Sequence, residues 1–155
     1  MLHLTAPLFL LATVCTSTAP PAPKKITNPN QAVNDRLAKQ ILDRIAGHEK
    51  EPAEQVFKNL QIPWLKNVPA QNLVDIMNFG YSRALGVACT HCHDETNFAS
   101  DAKRPKRAAR EMAVMHHAIN EQLSKMENLE DPPKKRFVNC GTCHRGSIDP
   151  RAATQ

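Results

Sequence analysis

The chain has 155 residues, enough for one domain, but only 5% of them are aromatic. Twelve prolines against five glycines, together with long runs of Ala, Leu, Glu, Gln, Lys and Arg, favour helices joined by loops over a sheet. A formal net charge of +5 is weak evidence for a nucleic-acid partner, and we expect none. The shortage of bulky apolar side chains indicates that something other than side chains completes the interior.

Residues 1–19 are predicted to be a signal peptide or an N-terminal anchor. They contain no Asp, Glu, Lys or Arg, and their apolar run from Leu8 to Val14 is too short to span a bilayer. The small residues 17–19 fit a cleavage site, whereas Cys15 is also placed like the acylated cysteine of a lipoprotein. Both alternatives predict a periplasmic protein, the second one anchored to the membrane.

The rest of the chain is predicted to form a proline-rich linker (20–29), a folded domain (30–148) and a C-terminal tail (149–155). The first helix should span about residues 30–46, because apolar residues recur every four positions and Gly47 follows as a stop. Its apolar stripe comprises Val33, Leu37, Ile41 and Ile45.

Two further helices are predicted, each of them upstream of a cysteine-containing segment. One runs from about residue 69 to Gly80 and carries Met77 on its apolar side. The other runs from about residue 105 to 125 before the chain breaks at Pro132 and Pro133. Its apolar stripe comprises Ala108, Met112, Met115, Ile119 and Leu123.

The segments CTHCH (89–93) and CGTCH (140–144) repeat one five-residue box, C-x-x-C-H. Paired zinc knuckles usually leave about 15 to 20 residues between the pairs. Here 47 residues, 93–139, lie between them. A catalytic disulfide would need a strand and helix context that is absent from the pattern. Only haem attachment explains the histidine after the second cysteine in both boxes.

The boxes therefore predict two covalently bound haem c groups. The cofactor-binding thiols would be Cys89 and Cys92 for the first group, and Cys140 and Cys143 for the second. His93 and His144 would be the proximal iron ligands. Two helix, loop and box units predict an all-α multihaem cytochrome c whose half-units are related by pseudo-symmetry.

The sixth iron ligand decides between electron transfer and chemistry at an open iron. Met77, twelve residues before Cys89, is the predicted ligand of the first haem, with core packing as the alternative. The repeat favours Met112 for the second haem, with Met115 packing beside it. Met115, His116 and Met126 remain alternatives. We expect His116 and His117 to be exposed or to face haem propionates, and His91 to be exposed.

The motif order resembles the cytochrome subunit of photosynthetic reaction centres and its relatives in bacteria that do not photosynthesise. The resemblance covers about residues 53–148, and it is carried by these segments: 56–60, Met77, GVACTHCHDETNFAS (86–100), 109–112, 119–120 and CGTCHRG (140–146). It implies that each haem lies beside the helix preceding its box, with Met77 and Met112 as sixth ligands. The whole subunit of that family has four haems, so the resemblance is to its front, two-haem half. Where that subunit supplies a histidine to its other half, this chain has Met126.

Residues 103–110, KRPKRAAR, carry five basic residues and no acidic one. Basic groups at the start of a helix are unfavourable against its dipole, so a counter-charge is expected. Haem propionates and an acidic docking partner are the two candidates. A similar basic cluster at Lys134, Lys135, Arg136 and Arg145 surrounds the second box.

Closed irons predict an electron carrier rather than an enzyme, and no residue outside the boxes forms a catalytic constellation. The expected partners are redox proteins that donate and accept electrons, which includes the subunits of a reaction-centre-type or respiratory membrane complex. The alternative is a di-haem peroxidase-like oxidoreductase with one open iron, which would require that Met77 or Met112 does not ligate.

Overall fold

The computed structural model describes residues 25–154, so the predicted signal segment, Cys15 and residues 20–24 of the predicted linker lie outside the described residues. The secondary structure in the described range is helical, and the strand-like pairing found there is one isolated antiparallel bridge between Pro52 and Pro69. The predicted all-α class is confirmed. Among the helices of residues 25–154, none combines the length and the apolar character needed to span a bilayer.

Helix α1 spans Gln31–Arg44, close to its predicted bounds, but its buried face differs from the predicted stripe. Leu37 is 1% exposed and Asn34 is 0% exposed, whereas Val33 is 42% exposed. A strict four-residue spacing drifts around a helix of 3.6 residues per turn, and this drift moves Val33 off the buried face. Gly47 follows the helix with φ 89°, a left-handed conformation that favours glycine.

A short helix α2 (Ala53–Val56) and a 3₁₀ turn (Pro63–Leu65) pack under the next long helix. Their apolar side chains form a small core, and backbone bonds such as Ala53 N to Val68 O, 2.8 Å, hold the intervening loop in place. The buried members of this core are Ala53, Ile62, Leu65, Leu73 and Ala113. Met77 packs partly buried against it.

The second long helix consists of three consecutive pieces, which we call the interrupted helix: α3 (Ala70–Asp75), a π-helical stretch (Ile76–Ser82) and α4 (Arg83–Leu85). The predicted end at Gly80 is wrong, because Gly80 lies inside the π-helical stretch. The helix ends instead at Gly86, which has φ 69°. π-helical stretches are rare and are frequent at functional sites.

The two boxes form short helices, α5 (Cys89–Cys92) and α7 (Cys140–His144), with α6 (Arg104–Lys125) between them in the chain. Helix α7 begins with a capping box in which Asn139 Oδ1 accepts from Thr142 N, 3.1 Å, and Thr142 Oγ1 accepts from Asn139 N, 3.0 Å. After α6 the predicted break is occupied by a 3₁₀ turn, Pro133–Lys135. A last 3₁₀ turn, Pro150–Thr154, lies within the predicted tail.

Residues 26–30, which we call the N-terminal strap, pack onto the domain just before α1. Asn28 is 8% exposed, and its Nδ2 donates to Ser82 O at 3.0 Å and to Val87 O at 2.9 Å. Asn30 Nδ2 donates to Gly86 O at 3.1 Å. The strap therefore holds the end of the interrupted helix and the start of the first box in place.

Candidate functional site

The first box opens onto an apolar cavity of about 360 Å³. Cys89, Cys92 and His93 line it from one side, and Met77 lines it from the interrupted helix. The volume falls within the range of about 300 to 1,000 Å³ typical of small-molecule and cofactor sites. The four residues that the sequence analysis assigned to the first haem thus share one cavity, and their donor types fit a haem c group.

The backbone leading into the first box is held by Asn34. Its Nδ2 donates to Val87 O at 3.0 Å, and its Oδ1 accepts from Cys89 N at 2.8 Å. Both bonds are partly buried, and an unpaired backbone group in a buried place costs about 1 to 3 kcal/mol. Asn34 therefore positions the first cysteine of the box.

His93 is oriented through its second ring nitrogen. Its Nδ1 lies 3.0 Å from the Phe98 carbonyl oxygen, and its ring stacks on the Phe98 ring with centroids 5.0 Å apart. Burial lowers the pKa of His93, against the raising effect of that carbonyl, and the charges of Lys106, Arg110 and Lys103 lower it further. The result is a neutral imidazole whose Nε2 is free to bind a metal.

No disulfide joins any of the four box cysteines. Burial raises the pKa of Cys89, Cys92 and Cys140, so these thiols lack the lowered pKa of catalytic cysteines. Within residues 25–154, no three His, Cys, Asp or Glu side chains cluster as a metal-binding group.

The second box opens onto its own cavity, about 420 Å³ in volume, against α6. Cys140, Cys143 and His144 line it together with both methionines of the α6 stripe, Met112 and Met115. These methionines are 41% and 47% exposed, which is unusual for residues of an apolar stripe. The donor set again fits a haem c group, with the sequence-predicted residues brought together.

Asn120 pins the second box in nearly the way that Asn34 pins the first. Its Nδ2 donates to Val138 O at 3.0 Å and its Oδ1 accepts from Val138 N at 2.9 Å. Val138 stands two residues before Cys140, just as Val87 stands two residues before Cys89. In both sites, therefore, an asparagine on a helix binds the carbonyl two residues before the first cysteine of the box.

Near the second site, His91 is less exposed than expected. His116 is half-buried with Nε2 2.6 Å from Val138 O, and His91 is half-buried and lines the second cavity from the first box. Both rings are drawn inward because the segments before Cys140 and after Cys89 pack against α6. Met126 caps the end of α6 and is absent from the lining of the second cavity. His117 is exposed as expected and stacks on Trp64 with centroids 4.5 Å apart.

The two cavities share a wall. Its members line both cavities: Tyr81, Leu85, Cys92 and Ala109. Next to this wall Gly146 N donates to Ala84 O at 2.8 Å, and a Cβ placed on Gly86 would collide with the Gly146 carbonyl. Glycine at position 86 thus lets the chain before the first box touch the chain after the second.

The basic segment at the start of α6 has a counter-charge within the chain. Asp101 Oδ1 lies 2.9 Å from Arg110 Nη2 and 3.4 Å from Lys106 Nζ. Contact with Arg110, and then with Asn59 and Lys106, holds the pKa of Asp101 well below its usual range. The proposed propionates are therefore not needed to neutralise these two residues. Arg104, another residue of the basic segment, lines the second cavity.

Comparison with known proteins places these boxes in a family. The model of the family "Photosynthetic reaction centre cytochrome C subunit" matches residues 16–153. The chain belongs to this family. It is therefore a c-type cytochrome, its cofactor is covalently bound haem c, and the resemblance predicted from the motifs is confirmed.

Two curated relatives match parts of the chain. Cytochrome c-554 of Chloroflexus aurantiacus is 39% identical over 67 residues, which cover 43% of this chain and 15% of that protein. The photosynthetic reaction center cytochrome c subunit of Rubrivivax gelatinosus is 35% identical over 86 residues, covering 48% of this chain and 23% of that protein. The chain thus matches less than a quarter of the length of either relative.

The sequence assigned no role to several residues of the two sites. Asn34 belongs to no motif and Asn120 only to segment 119–120 of the family resemblance, although each stands on the otherwise apolar side of its helix. Tyr81, the chain's single tyrosine, also belongs to no motif, and burial raises its pKa to about 12. Lys106 was grouped with the basic segment, yet it is only 9% exposed.

Proposed function

We propose that residues 30–148 form a di-haem cytochrome c unit that passes electrons between two redox partners. The observation that carries this proposal is the pair of adjoining cavities, each lined by a C-x-x-C-H box and at least one methionine. A bound haem c supplies an iron that changes its charge by one electron. The chain supplies attachment, ligands, exclusion of water and proximity.

Attachment falls to Cys89 and Cys92 in the first site and to Cys140 and Cys143 in the second. Each pair lies on one short helix, α5 or α7, so its two sulfurs face the same cavity. The proposed proximal ligands are His93, which follows the first cysteine pair, and His144, which follows the second. Their Nδ1 atoms are engaged by Phe98 O and Ser147 O, both at 3.0 Å, which leaves each Nε2 for the metal.

Met77 is the proposed sixth ligand in the first site. It belongs to the π-helical stretch and lines the same cavity as the box. A thioether in this position closes the metal to small molecules and raises its potential. Closure favours electron transfer over the peroxidase alternative.

Met112 is the proposed sixth ligand in the second site, with Met115 packing beside it. Both line the cavity, whereas Met126 does not. His116 also lines it, but its Nε2 is 2.6 Å from Val138 O and 2.8 Å from Asn120 Nδ2. His116 is thus engaged in holding the box, which favours a methionine.

Electron passage between the sites is supported by their shared wall. Tyr81, Leu85 and Ala109 stand between the cavities, and Cys92 of the first box lines both. The contact of Gly86 with Gly146 keeps the boxes close. No catalytic base or nucleophile is required for this role.

We further propose a periplasmic location and redox protein partners, with a membrane complex among the candidates. The signal-like segment 1–19 and Cys15 support export, with or without lipidation. Exposed basic residues beside the second box, including Lys134, Lys135 and Arg145, would suit an acidic partner surface. A partner of this kind would dock faster at low salt than at high salt.

The proposal is tested on holoprotein purified from a host that attaches haem c. Its mass should exceed that of the mature chain by two haems, and its ferric spectrum should show the weak far-red band of methionine ligation. Met77→Ala and Met112→Ala should each remove about half of that band, while the matched Met126→Ala variant should leave it intact. If Met115→Ala removes half of the band and Met112→Ala removes none of it, the second ligand is Met115.

A high-spin ferric signal in the wild-type protein would instead favour the peroxidase alternative. A colourless protein with four free thiols would overturn the whole proposal. Replacement of Cys89 and Cys92 by alanine should leave one haem, which tests the assignment of each box separately.

A further inference from the structure

Lys106 is a buried lysine at the edge of the first cavity. Its residue exposure is 9%, and it lines the cavity together with His93. Its Nζ donates to Phe98 O at 2.8 Å and to Ser100 O at 2.8 Å, and it lies 3.4 Å from Asp101 Oδ1. Two of the three donors of the ammonium group thus bind carbonyl oxygens, and its charge pairs with the Asp101 carboxylate.

The Phe98 carbonyl oxygen thereby receives two bonds. One comes from His93 Nδ1, at 3.0 Å, and the other comes from Lys106 Nζ, at 2.8 Å. A carbonyl oxygen has two lone pairs, so it can accept both at once. The same carbonyl thus links the proximal histidine to a buried positive charge.

We propose that Lys106 is a positioning residue of the first site, which sets the electron affinity there by acting on His93 through the Phe98 carbonyl. This inference rests on the proposed function, since it requires His93 to be an iron ligand. It adds a residue that is neither in a box nor a ligand.

The direction of the effect follows from the polarity of the bonds. A strong acceptor at Nδ1 makes the imidazole more basic, which stabilises the ferric state and lowers the potential. The bond from Lys106 draws electron density away from that acceptor. The His93 imidazole then donates less to the metal, so Lys106 raises the potential of the first site.

The second site provides an internal reference. His144 Nδ1 lies 3.0 Å from Ser147 O, so it has the same kind of acceptor. No lysine of residues 25–154 donates to that oxygen. The two sites therefore differ in the cation placed behind the proximal histidine.

A simple charge effect is the competing explanation, and Arg107 is the matched control for it. Arg107 is the next residue of α6, is exposed, and donates to Asp101 O and Ala102 O rather than to Phe98 O. Lys106→Met and Arg107→Met each remove one positive charge. Only the first removes the bond to Phe98 O.

The test is a spectroelectrochemical titration of holoprotein variants, in which the wave of the first site is the one that Met77→Ala shifts. Lys106→Met should lower the ferrous-to-ferric ratio of that wave about tenfold at fixed potential, because a bond from a charged donor is lost. For one electron this is about 59 mV. Arg107→Met should change the ferrous-to-ferric ratio of that wave by less than about twofold. Lys106→Arg should keep most of the wild-type ratio.

Equal shifts in Lys106→Met and Arg107→Met would overturn the carbonyl route and leave only charge. An unchanged first wave in Lys106→Met, with both haems attached, would also overturn this inference but not the proposed function. Absence of haem at the first box would overturn both.

A measurement on the wild type keeps the inference testable if Lys106→Met does not fold. In ferrous protein labelled with ¹⁵N-histidine, the Nδ1 proton of His93 should resonate upfield of that of His144, because its acceptor is weakened. Where Lys106→Met does fold, the His93 proton should move downfield. A wild-type His93 proton downfield of the His144 proton would contradict the inference.

Discussion

Gly86 and Gly146 meet backbone to backbone, which brings the chain before the first box against the chain after the second. Position 86 has φ 69°, and a Cβ there would collide with the Gly146 carbonyl. A side chain at position 86 is therefore disfavoured for two reasons, the left-handed backbone conformation and the close approach of Gly146.

Gly86→Ala should destabilise the holoprotein by more than the left-handed conformation alone would, which is about 1 to 2 kcal/mol. Chemical unfolding followed by absorbance and circular dichroism measures it. Gly47→Ala is the matched control, because Gly47 has φ 89° but no atom within 4 Å of its Cβ position. Equal losses in the two variants would mean that the Gly146 contact is unimportant.

Asn34→Ala should lower the free energy of unfolding by about 1 to 3 kcal/mol, because it leaves the partly buried Cys89 amide unpaired, while the Val87 carbonyl keeps its bond from Asn28 Nδ2. Denaturant unfolding of the holoprotein measures this change. Lys39→Ala on the same helix is the control, since Lys39 forms an exposed ion pair with Asp43 at 2.8 Å and should contribute about 0 to 1 kcal/mol. A loss below about 1 kcal/mol in Asn34→Ala would contradict the assigned role.

Tyr81 should make the protein sensitive to alkaline pH. Burial raises its pKa to about 12 in the folded state, against about 10 for an exposed phenol. A raised pKa means that stability is complete below pH 10 and falls as the pH rises towards 12, by about 2 to 3 kcal/mol.

Tyr81→Phe tests this prediction, because phenylalanine keeps the ring and cannot ionise. The free energy of unfolding of wild type and variant is compared at pH 9 and pH 12. From pH 9 to pH 12 the free energy of unfolding of the variant should rise relative to that of the wild type. A constant difference would show that Tyr81 does not ionise in that range.

Asp101→Asn should destabilise the protein at neutral pH, because Arg110 and Lys106 lose their shared counter-charge. The pKa of Asp101 lies well below its usual range in the folded state, so its stabilising effect is present above about pH 4 and is lost as the pH falls further. Urea unfolding at pH 7, 5 and 3 should show a constant difference between wild type and variant at the first two values and a smaller one at the third.

Asp43→Asn is the control for the Asp101 variant. Asp43 pairs with Lys39 on the surface of α1, with 62% of its side chain exposed, and should contribute about 0 to 1 kcal/mol. A difference between Asp101→Asn and wild type that grew at low pH would contradict the sign assigned here.

The interrupted helix is only partly predictable from the sequence. Its methionine and its start near residue 70 follow from local pattern, but its end does not. Gly80 looks like a stop in the sequence, yet packing keeps it helical, and the chain turns only at Gly86. A glycine marks a possible end of a helix, whereas its tertiary contacts decide whether the helix ends there.

The sequence by itself determined the two C-x-x-C-H boxes, the histidine that follows each cysteine pair, and the methionine helices upstream. These features depend on spacing along a few residues of chain, which the covalent structure imposes. Only the tertiary structure decided that Asn34 and Asn120 hold the boxes, that Tyr81 stands in the shared wall, and that Lys106 reaches the Phe98 carbonyl. Each of these contacts joins separate segments or depends on burial, and no local pattern records which polar side chain the fold turns inward.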